Sequence, residues 1–451
     1  MIFGTDGIRD IGGQGLLANE SVDRIGTAIV QYLQRRGSSS ARVMIGRDTR
    51  ESGPEIESYI ARALQRGGVT TIHAGVVPTP AISVLVAAGH ADLGLMISAS
   101  HNPPEFNGVK ILDHCGEKLS FTEEERISSD YASANPLGGG FPQIIEDKKW
   151  GHIYLEEVLA SFSGEKFLGG LKVVLDAARG AACHWGPEAF RRAGAEVFVL
   201  NGEPDGARIN MGCGSLHPEV LAEEVRHREA DLGVAFDGDA DRALFCDHKG
   251  TALDGDDIIA LWALSLKSKG QLNPAVVALT VMSNMGVERF LGDHGIRVVR
   301  TPVGDREVAA ALRETGGVLG GETSGHIIHR SEAVTGDGIR TGLSVCQCVV
   351  ESAQTLSQFC DQFSRYPLEQ RTVRIENRPD IESLGILQQT MADAKNSLGD
   401  DGRLVVRFSG TEPLLRILVE ASSVETAQHW AEQILEASRQ EETLGSVTVV
   451  A

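Results

Sequence analysis

The sequence predicts an α/β protein: three similar doubly wound α/β domains and a C-terminal α+β domain, grouped around a central cleft. Three observations lead there. Apolar, β-branched runs alternate with helical-period segments three times over, the mark of parallel sheets covered on both faces. The tetrapeptide Ala-Asp-Leu-Gly opens two strands at the same distance from a polar loop. From Arg371 onward the order becomes strand, helix, two strands, helix, strand, a split β-α-β pattern. At 451 residues the chain also exceeds what one core sustains. The expected domains are 1–150, 151–250, 251–366 and 367–451. Their boundaries fall at Gly138-Gly139-Gly140, Lys249-Gly250 and Tyr366-Pro367.

In chain order, the first unit reads as strand 42–46, a helix over about 54–66 and strand 70–74, with Pro78 and Pro80 just after. The second reads as strand 171–175, a helical pattern to 193 and strand 196–200; the third as strand 275–279, a helical pattern to 293 and strand 296–300. Ala91-Asp92-Leu93-Gly94 and Ala230-Asp231-Leu232-Gly233 each begin a further strand. Past each glycine, at a matching offset, a polar loop begins: Ser98-Ala99-Ser100 in one case, Asp237-Gly238-Asp239 in the other. The third unit supplies Gly317-Val318-Leu319-Gly320, followed by Gly321-Glu322-Thr323-Ser324-Gly325-His326. Sibling loops at one place on a repeated fold are expected to share a cleft. In the tail, helices are expected over about 381–398 and 424–439, with strands 403–408 and 414–421 between them.

Composition sets outer limits. The apolar share of 42% and charged share of 23% are those of an ordinary globular protein. No stretch of eighteen apolar residues predicts a membrane span. The opening Met1–Gly7 lacks the features of a signal peptide, so cytoplasmic residence is the default expectation. Seven scattered cysteines without a C-x-x-C argue against a disulfide framework or a zinc site and read as reduced, mostly structural thiols. A net charge of −20 argues against a nucleic-acid partner. An anionic small molecule would need a local basic cluster to overcome that field.

Four loops carry chemistry. Ser98-Ala99-Ser100-His101-Asn102-Pro103 sets a hydroxyl beside an imidazole at the end of a buried strand, a place where an open α/β sheet exposes a reactive side chain. Asp237-Gly238-Asp239-Ala240-Asp241-Arg242 places three acids at alternate positions; such crowding calls for a cation, and oxygen donors suit Mg²⁺. An EF-hand fails, because Arg242 and His248 stand where glycine and glutamate are required. A solvated acidic turn is the blander reading, disfavoured by the buried-type strands on both sides. Arg407-Phe408-Ser409-Gly410-Thr411-Glu412-Pro413, with Arg416 beyond, offers guanidiniums, hydroxyls and open backbone to a phosphate, or is a plain β-turn. Glu322, Ser324 and His326 suit the hydroxyls of a sugar ring, or form a capped turn. Arg9 and Lys110 each add a cation that alone reads as surface charge. A Walker A loop, a G-x-G-x-x-G fingerprint and a G-x-S-x-G elbow are absent from the sequence.

Together these loops resemble the α-D-phosphohexomutase superfamily, and within it the bacterial phosphoglucosamine mutases. The resemblance runs over nearly the whole chain, through Phe3–Arg9, Ser98–Pro103, Asp237–Arg242, Gly321–His326 and Arg407–Arg416. Met282–Gly286, Val303–Arg306 and Thr335–Gly338 favour the glucosamine branch over the mannose and glucose ones. Two departures are Asp10, where relatives usually carry glycine, and Pro104-Glu105-Phe106, where they usually carry aromatics.

The resemblance implies a phosphoserine at Ser100 and one Mg²⁺ per chain, held by Asp237, Asp239 and Asp241 with the Ser100 phosphoryl group. It implies interconversion of glucosamine 6-phosphate and glucosamine 1-phosphate through a 1,6-bisphosphate, with glucosamine or glucose 1,6-bisphosphate as primer. It further implies that Glu322, Ser324 and His326 bind the sugar and that Arg407, Ser409, Gly410, Thr411 and Arg416 seat the second phosphate. Arg9 and Arg242 would stabilise charge, and Lys110, His101 and His326 all stand as candidates for proton transfer. A phosphosugar is the expected partner of a monomer or homodimer, with no nucleic acid and no membrane. A phosphomannomutase or phosphoglucomutase, a sugar-phosphate-binding regulator on a retired mutase fold and a dinucleotide-dependent oxidoreductase are the rival readings. The last lacks its glycine fingerprint.

Overall fold

Each of the three site-bearing loops of the first part of the chain joins a central parallel strand to an antiparallel neighbour. The structure, a computed structural model, describes all residues except Thr5, Ser38, Ser39, Leu137, Gly138, Gly410, Thr411, Glu412 and Ala451. The chain forms two units, Met1–Thr280 with Val299–Cys360, and Val281–Val298 with Asp361–Ala451.

In the first unit, β1 (Ile8–Ile11), β2 (Arg42–Arg47), β3 (Thr70–Val76), β4 (Leu93–Ile97) and β5 (Phe106–Leu112) form a sheet of order β1-β5-β4-β2-β3. Strand β2 is parallel to β3 and β4, whereas β5 runs antiparallel to β4 and β1. The second sheet repeats the plan. It holds β6 (Lys172–Asp176), β7 (Glu196–Leu200), β8 (Leu232–Phe236), β9 (Ala243–Asp247) and β10 (Ala252–Leu253) in the order β10-β9-β8-β6-β7. Again β6 is parallel to β7 and β8, and β9 is antiparallel to β8. The third set comprises β11 (Val276–Thr280), β12 (Arg297–Thr301), β13 (Leu319–Gly321) and β14 (Ile327–His329). Strand β11 is parallel to β13, and β13 is antiparallel to β14.

The sheets are therefore mixed, which corrects the expectation of parallel ones. A parallel return needs a crossover of about a dozen residues or more, and the loops after β4, β8 and β13 are too short for it. The repeated tetrapeptide has a physical origin. Asp92 Oδ2 accepts the Arg42 N–H (2.8 Å) and Asp231 Oδ2 accepts the Lys172 N–H (2.7 Å), so each aspartate caps the start of the neighbouring strand. A Cβ on Gly94 would lie 2.7 Å from Ile82 Cγ2, and one on Gly233 2.7 Å from Val225 Cγ2, so only glycine admits the covering helix at that distance.

Helices Asn19–Arg35 and Gly53–Arg66 bury Ile25, Ile29, Ile60 and Leu64 against Val43, Ile45, Leu93, Leu95 and Ile97 of the first sheet. Each such side chain contributes roughly 1.5–3 kcal/mol on burial. Asp10, the departure noted in the sequence, accepts the Ile11 N–H at Oδ1 (2.8 Å) and the Leu16 N–H at Oδ2 (2.9 Å), and so ties down its own turn.

The second unit carries β15 (Leu368–Arg374), β16 (Gly402–Phe408), β17 (Leu414–Ala421) and β18 (Thr448–Val450), ordered β16-β17-β15-β18 and antiparallel throughout. Helices Gly385–Leu398 and Val424–Gln440 pack on it through Leu387, Ala394, Ala431 and Ile434. The helix expected from 381 opens instead with a separate 3₁₀ turn, Ile381–Ser383. The Met285 N–H donates to Glu420 Oε1 (3.0 Å), which seats residues 281–298 in this unit. All seven cysteines are free thiols. Among the described residues, no helix is long and apolar enough to cross a membrane.

Candidate active site

Strand β4 delivers Ser100 into a loop where its backbone is left-handed, with φ 53°. Ser98 holds it there: Ser98 Oγ accepts the Ser100 N–H (2.9 Å) and donates to Asp48 Oδ2 (2.7 Å). The Ser100 hydroxyl is wholly buried and donates to Asp237 Oδ2 at 2.6 Å. His101 Nδ1 lies farther away, 3.4 Å from the same oxygen. Burial, then the Arg242 and Arg9 guanidiniums, push the His101 imidazole down to about 4, so the ring is neutral near pH 7.

The three acids after β8 converge. Asp237, Asp239 and Asp241 offer carboxylate oxygens within 4.8 Å of one another, and all three side chains are buried. Lys110, on β5 and 1% exposed, sets its ammonium 2.8 Å from Asp239 Oδ2, 2.9 Å from Asp241 Oδ2 and 3.2 Å from Asp6 Oδ2. Burial alone would favour the neutral amine, but Asp239, Asp241 and Asp6 outweigh it and hold Lys110 protonated. Burial, then the Asp241 and Asp239 charges, raise the Asp237 carboxyl well above the usual range. Burial works the same way on Asp241, yet Lys110, His326 and Arg242 overcome it and hold that carboxyl well below its usual value.

The donor set fits a divalent metal. The second oxygens of Asp239 and Asp241 are buried, and no hydrogen-bond partner reaches them among the described residues. Buried, unsatisfied carboxylate oxygens are costly, and a hard cation such as Mg²⁺ is the ligand that oxygen donors of this kind accept.

Around this centre lies a network that includes Arg9, which taken alone reads in the sequence as surface charge. Lys118 bonds Asp6 and sits 2.6 Å from Asp305 Oδ2, while Arg9 also bonds Asp6. Burial opposes ionisation of Asp6, but Lys110, Lys118 and Arg9 keep its carboxylate charged. The Arg242 N–H donates to Asp237 Oδ1 (3.3 Å), and its guanidinium Nε is buried without a hydrogen-bond partner among the described residues. Thr79, at the start of helix Thr79–Ala87, donates its hydroxyl to Asp239 Oδ2 (2.5 Å). The fold brings Asp6, Lys118, Asp305 and Thr79 around the triad; Asp6 and Asp305 lie in the Phe3–Arg9 and Val303–Arg306 stretches singled out in the sequence, whereas no local signal marks Lys118 or Thr79.

The loop after β13 sits in the same unit. Glu322 Oε1 accepts the Gly304 N–H (3.1 Å), and Ser324 Oγ is a buried atom with no hydrogen-bond partner among the described residues. His326 is 3% exposed, between Asp241 Oδ1 (3.8 Å) and Asp305 Oδ2 (3.6 Å). These carboxylates favour a protonated ring, but the Gly336 N–H donates to Nε2 (3.1 Å), which requires a lone pair there. That bond assigns the ring proton to Nδ1 and ties the loop to residues 335–338.

In the second unit, Arg407 and Arg416 stand directly opposite each other on β16 and β17. Burial and Arg416 lower the pKa of Arg407, and like charges facing across a ladder destabilise it unless an anion joins them. The Ser409 N–H donates to Leu414 O (2.8 Å). Gly410 and Thr411 lie outside the described residues.

Known proteins resemble this chain over nearly its whole length. Models of the phosphoglucomutase/phosphomannomutase family match residues 1–136 (alpha/beta/alpha domain I), 152–250 (domain II), 254–366 (domain III) and 372–437 (C-terminal domain). A phosphoglucosamine mutase of Saccharopolyspora erythraea is 40% identical over 438 residues, which covers 96% of this chain and 98% of its own. One from Cereibacter sphaeroides is 41% identical over 440 residues, covering 97% and 98%. A phosphoglucomutase/phosphomannomutase family protein of Burkholderia thailandensis shares the fold, with TM-score 0.83, 24% identity and 99% of each chain covered. An Aspergillus fumigatus N-acetylphosphoglucosamine mutase, solved with GlcNAc-6P and magnesium, has TM-score 0.67 at 17% identity, covering 98% of this chain and 96% of its own.

Proposed function

This chain belongs to the phosphoglucosamine mutase family of the α-D-phosphohexomutases, and from that premise we propose that it interconverts glucosamine 6-phosphate and glucosamine 1-phosphate. The observation that carries this reading is the 2.6 Å hydrogen bond from the Ser100 hydroxyl into the buried acidic triad. A nucleophilic hydroxyl set against a cation site is the arrangement phosphoryl transfer requires, because that chemistry depends on positioning and charge rather than on covalent rearrangement by the protein.

In the reading, the phosphorylated Ser100 gives its phosphoryl group to O1 of glucosamine 6-phosphate. The Oγ–P bond breaks, the O1–P bond forms, and the O1 proton leaves as the serine oxygen regains one. The 1,6-bisphosphate turns over and returns its 6-phosphoryl group to Ser100, leaving glucosamine 1-phosphate for amino-sugar synthesis. A glucosamine or glucose 1,6-bisphosphate primes the cycle. One Mg²⁺ per chain, held by Asp237, Asp239 and Asp241, would act as a Lewis acid that offsets charge on the phosphoryl oxygens.

The chain's own groups divide the remaining work. Lys110 neutralises the triad, since three carboxylates keep it protonated. His101 is our candidate for moving the proton, as a neutral ring 3.4 Å from Ser100 Oγ. Arg9 and Arg242 supply positive charge beside it. Glu322 and Ser324 meet the sugar hydroxyls, and His326 braces their loop. Arg407, Ser409, Gly410, Thr411 and Arg416 seat the non-reacting phosphate. We place this chemistry in a cytoplasmic monomer or homodimer.

Turnover of glucosamine 6-phosphate and mannose 6-phosphate, measured side by side with Mg²⁺ and a bisphosphate primer, tests the substrate. Preference for the amino sugar is expected, and a marked preference for mannose refutes the assignment.

A further inference from the structure

Arg50 is one of the largest wholly buried side chains among the described residues, and every donor of its guanidinium is spent near Ser100. One terminal nitrogen donates to Pro103 O (2.5 Å) and Phe106 O (2.7 Å), the other to Ser100 O (2.9 Å) and Asn102 O (2.8 Å). Its Nε donates to Asp48 Oδ2 (2.9 Å), the oxygen that also receives the Ser98 hydroxyl (2.7 Å). Ser98 Oγ in turn accepts the Ser100 N–H. Asp48 Oδ1 accepts the Arg50 N–H (3.0 Å), which closes the ring of bonds.

Four carbonyls of one loop thus converge on a single planar cation. Asn210 approaches the same carbonyls from the second sheet's loops, donating to Ser100 O (2.9 Å) and Asn102 O (3.1 Å). A Cβ on Gly238 would lie 2.6 Å from Ser100 O, so the serine loop is seated directly against the metal loop. Ser100 is left-handed and its neighbour Pro103 lacks an N–H, so the loop has no regular ladder of its own to hold it.

We propose that Arg50 is the positioning residue of phosphoryl transfer, clamping residues 98–106 so that Ser100 Oγ keeps one place relative to Asp237 in both the free and the phosphorylated serine. The inference rests on the reading of Ser100 as phosphoryl carrier. Its physical basis is that a phosphoserine brings roughly −1.5 to −2 of charge into a buried loop, and carbonyl oxygens released there would turn and repel it. With all four carbonyls fixed on a cation, the added charge meets no reorienting dipoles. Lysine cannot substitute, because an ammonium has three donors and no fork.

The test uses the full chain with Mg²⁺ and primer, comparing wild type with Arg50→Lys and with Ser98→Ala, which removes one hydroxyl from the same cradle. Intact mass gives the phosphorylated fraction, and inorganic phosphate release gives the leak in which water's oxygen bonds phosphorus, the Oγ–P bond breaks and Ser100 takes the proton. For Arg50→Lys, kcat per phosphorylated chain is expected to fall about 10- to 100-fold, the cost of misplacing a reacting group by about an ångström. KM should stay within about threefold, since ground-state sugar binding is untouched. Phosphate released per turnover should rise, and Ser98→Ala should move each quantity the same way but less. Merely lost stability would shrink the folded fraction without changing the ratio of leak to transfer. Should Arg50→Lys fail to fold, Ser98→Ala decides. Wild-type kcat and leak in the folded variant overturn the proposal, as does a raised KM with unchanged kcat. A wild-type chain that never acquires phosphate on Ser100 refutes the phosphoserine reading itself, a separate result.

Discussion

Replacing Lys110 by methionine removes one buried cation from among three carboxylates while keeping much of the volume. Its ammonium lies 2.8, 2.9 and 3.2 Å from Asp239, Asp241 and Asp6. At an effective dielectric near 20, a unit pair at such distances attracts by roughly 5–6 kcal/mol. Three such contacts exceed the several kcal/mol lost by burying the ammonium, so the cation is held and protonated. Taking one partner from a buried ionic cluster typically costs about 3–5 kcal/mol, because the remaining charges stay unpaired. Lys110→Met should therefore lose about that much stability in EDTA. A divalent cation then has more to neutralise, so Mg²⁺ should restore stability to the variant more than it raises the wild type. The reference is mass action, about 2.7 kcal/mol at a hundredfold excess over Kd. Urea midpoints of both proteins, in EDTA and in Mg²⁺, measure the two increments, and calorimetric titration measures the affinity. Equal increments would refute the view that Lys110 and the metal share the triad's charge. Turnover should fall as well, but the stability comparison stands without it.

Ser100→Ala should abolish phosphorylation and turnover while the melting curve stays close to wild type; sustained activity would defeat the phosphoserine mechanism. Arg407→Gln and Arg416→Gln should each raise KM about 10- to 100-fold, the loss of one charge-assisted hydrogen bond, and steady-state kinetics on glucosamine 6-phosphate would expose an unaffected KM. His101 releases its proton near pH 4 when folded and near about 6.5 when unfolded, so the unfolded chain binds more protons in that window. Its contribution to stability is therefore complete above about 6.5 and declines as pH falls toward 4; His101→Gln should flatten that part of the stability–pH curve of the metal-free protein, and an unchanged slope would count against it. Tyr154, fully buried, donates to Asp337 Oδ1 (3.0 Å) and Oδ2 (3.1 Å), so Tyr154→Phe should cost about 1.5–3 kcal/mol by denaturant unfolding, with no loss of m-value.

Much of the architecture was legible because it is local. The runs that became β2, β3, β6, β7, β11 and β12 announce themselves by β-branched composition, and the helices between them by period. The repeated Ala-Asp-Leu-Gly was visible as letters before its cause was known: an aspartate that caps the next strand and a glycine that admits a helix. The acidic loop was legible for a different reason. Three like charges in six residues demand an explanation wherever they lie. The parallel pairing expected of these runs holds for β2 with β3 and for β6 with β7, but the antiparallel partners of β4, β8 and β13 were missed, although the short loops after those strands already required such returns.

By itself the sequence determined the repeated strands, the three acids, the serine and the paired arginines, since each is written in neighbouring residues. Only the tertiary structure decided which lone charges matter. Lys110 and Lys118 look alike in the chain, as do Asp6, Asp48 and Asp305; Arg50 looks like any surface arginine. Folding removed them from water and set them against partners more than a hundred positions away in several cases, as with Lys110 and Asp239 or Lys118 and Asp6. A charge in water is screened and nearly silent, while the same charge in a low-dielectric interior dominates its surroundings. Burial depends on the whole fold, so no reading of local pattern assigns it.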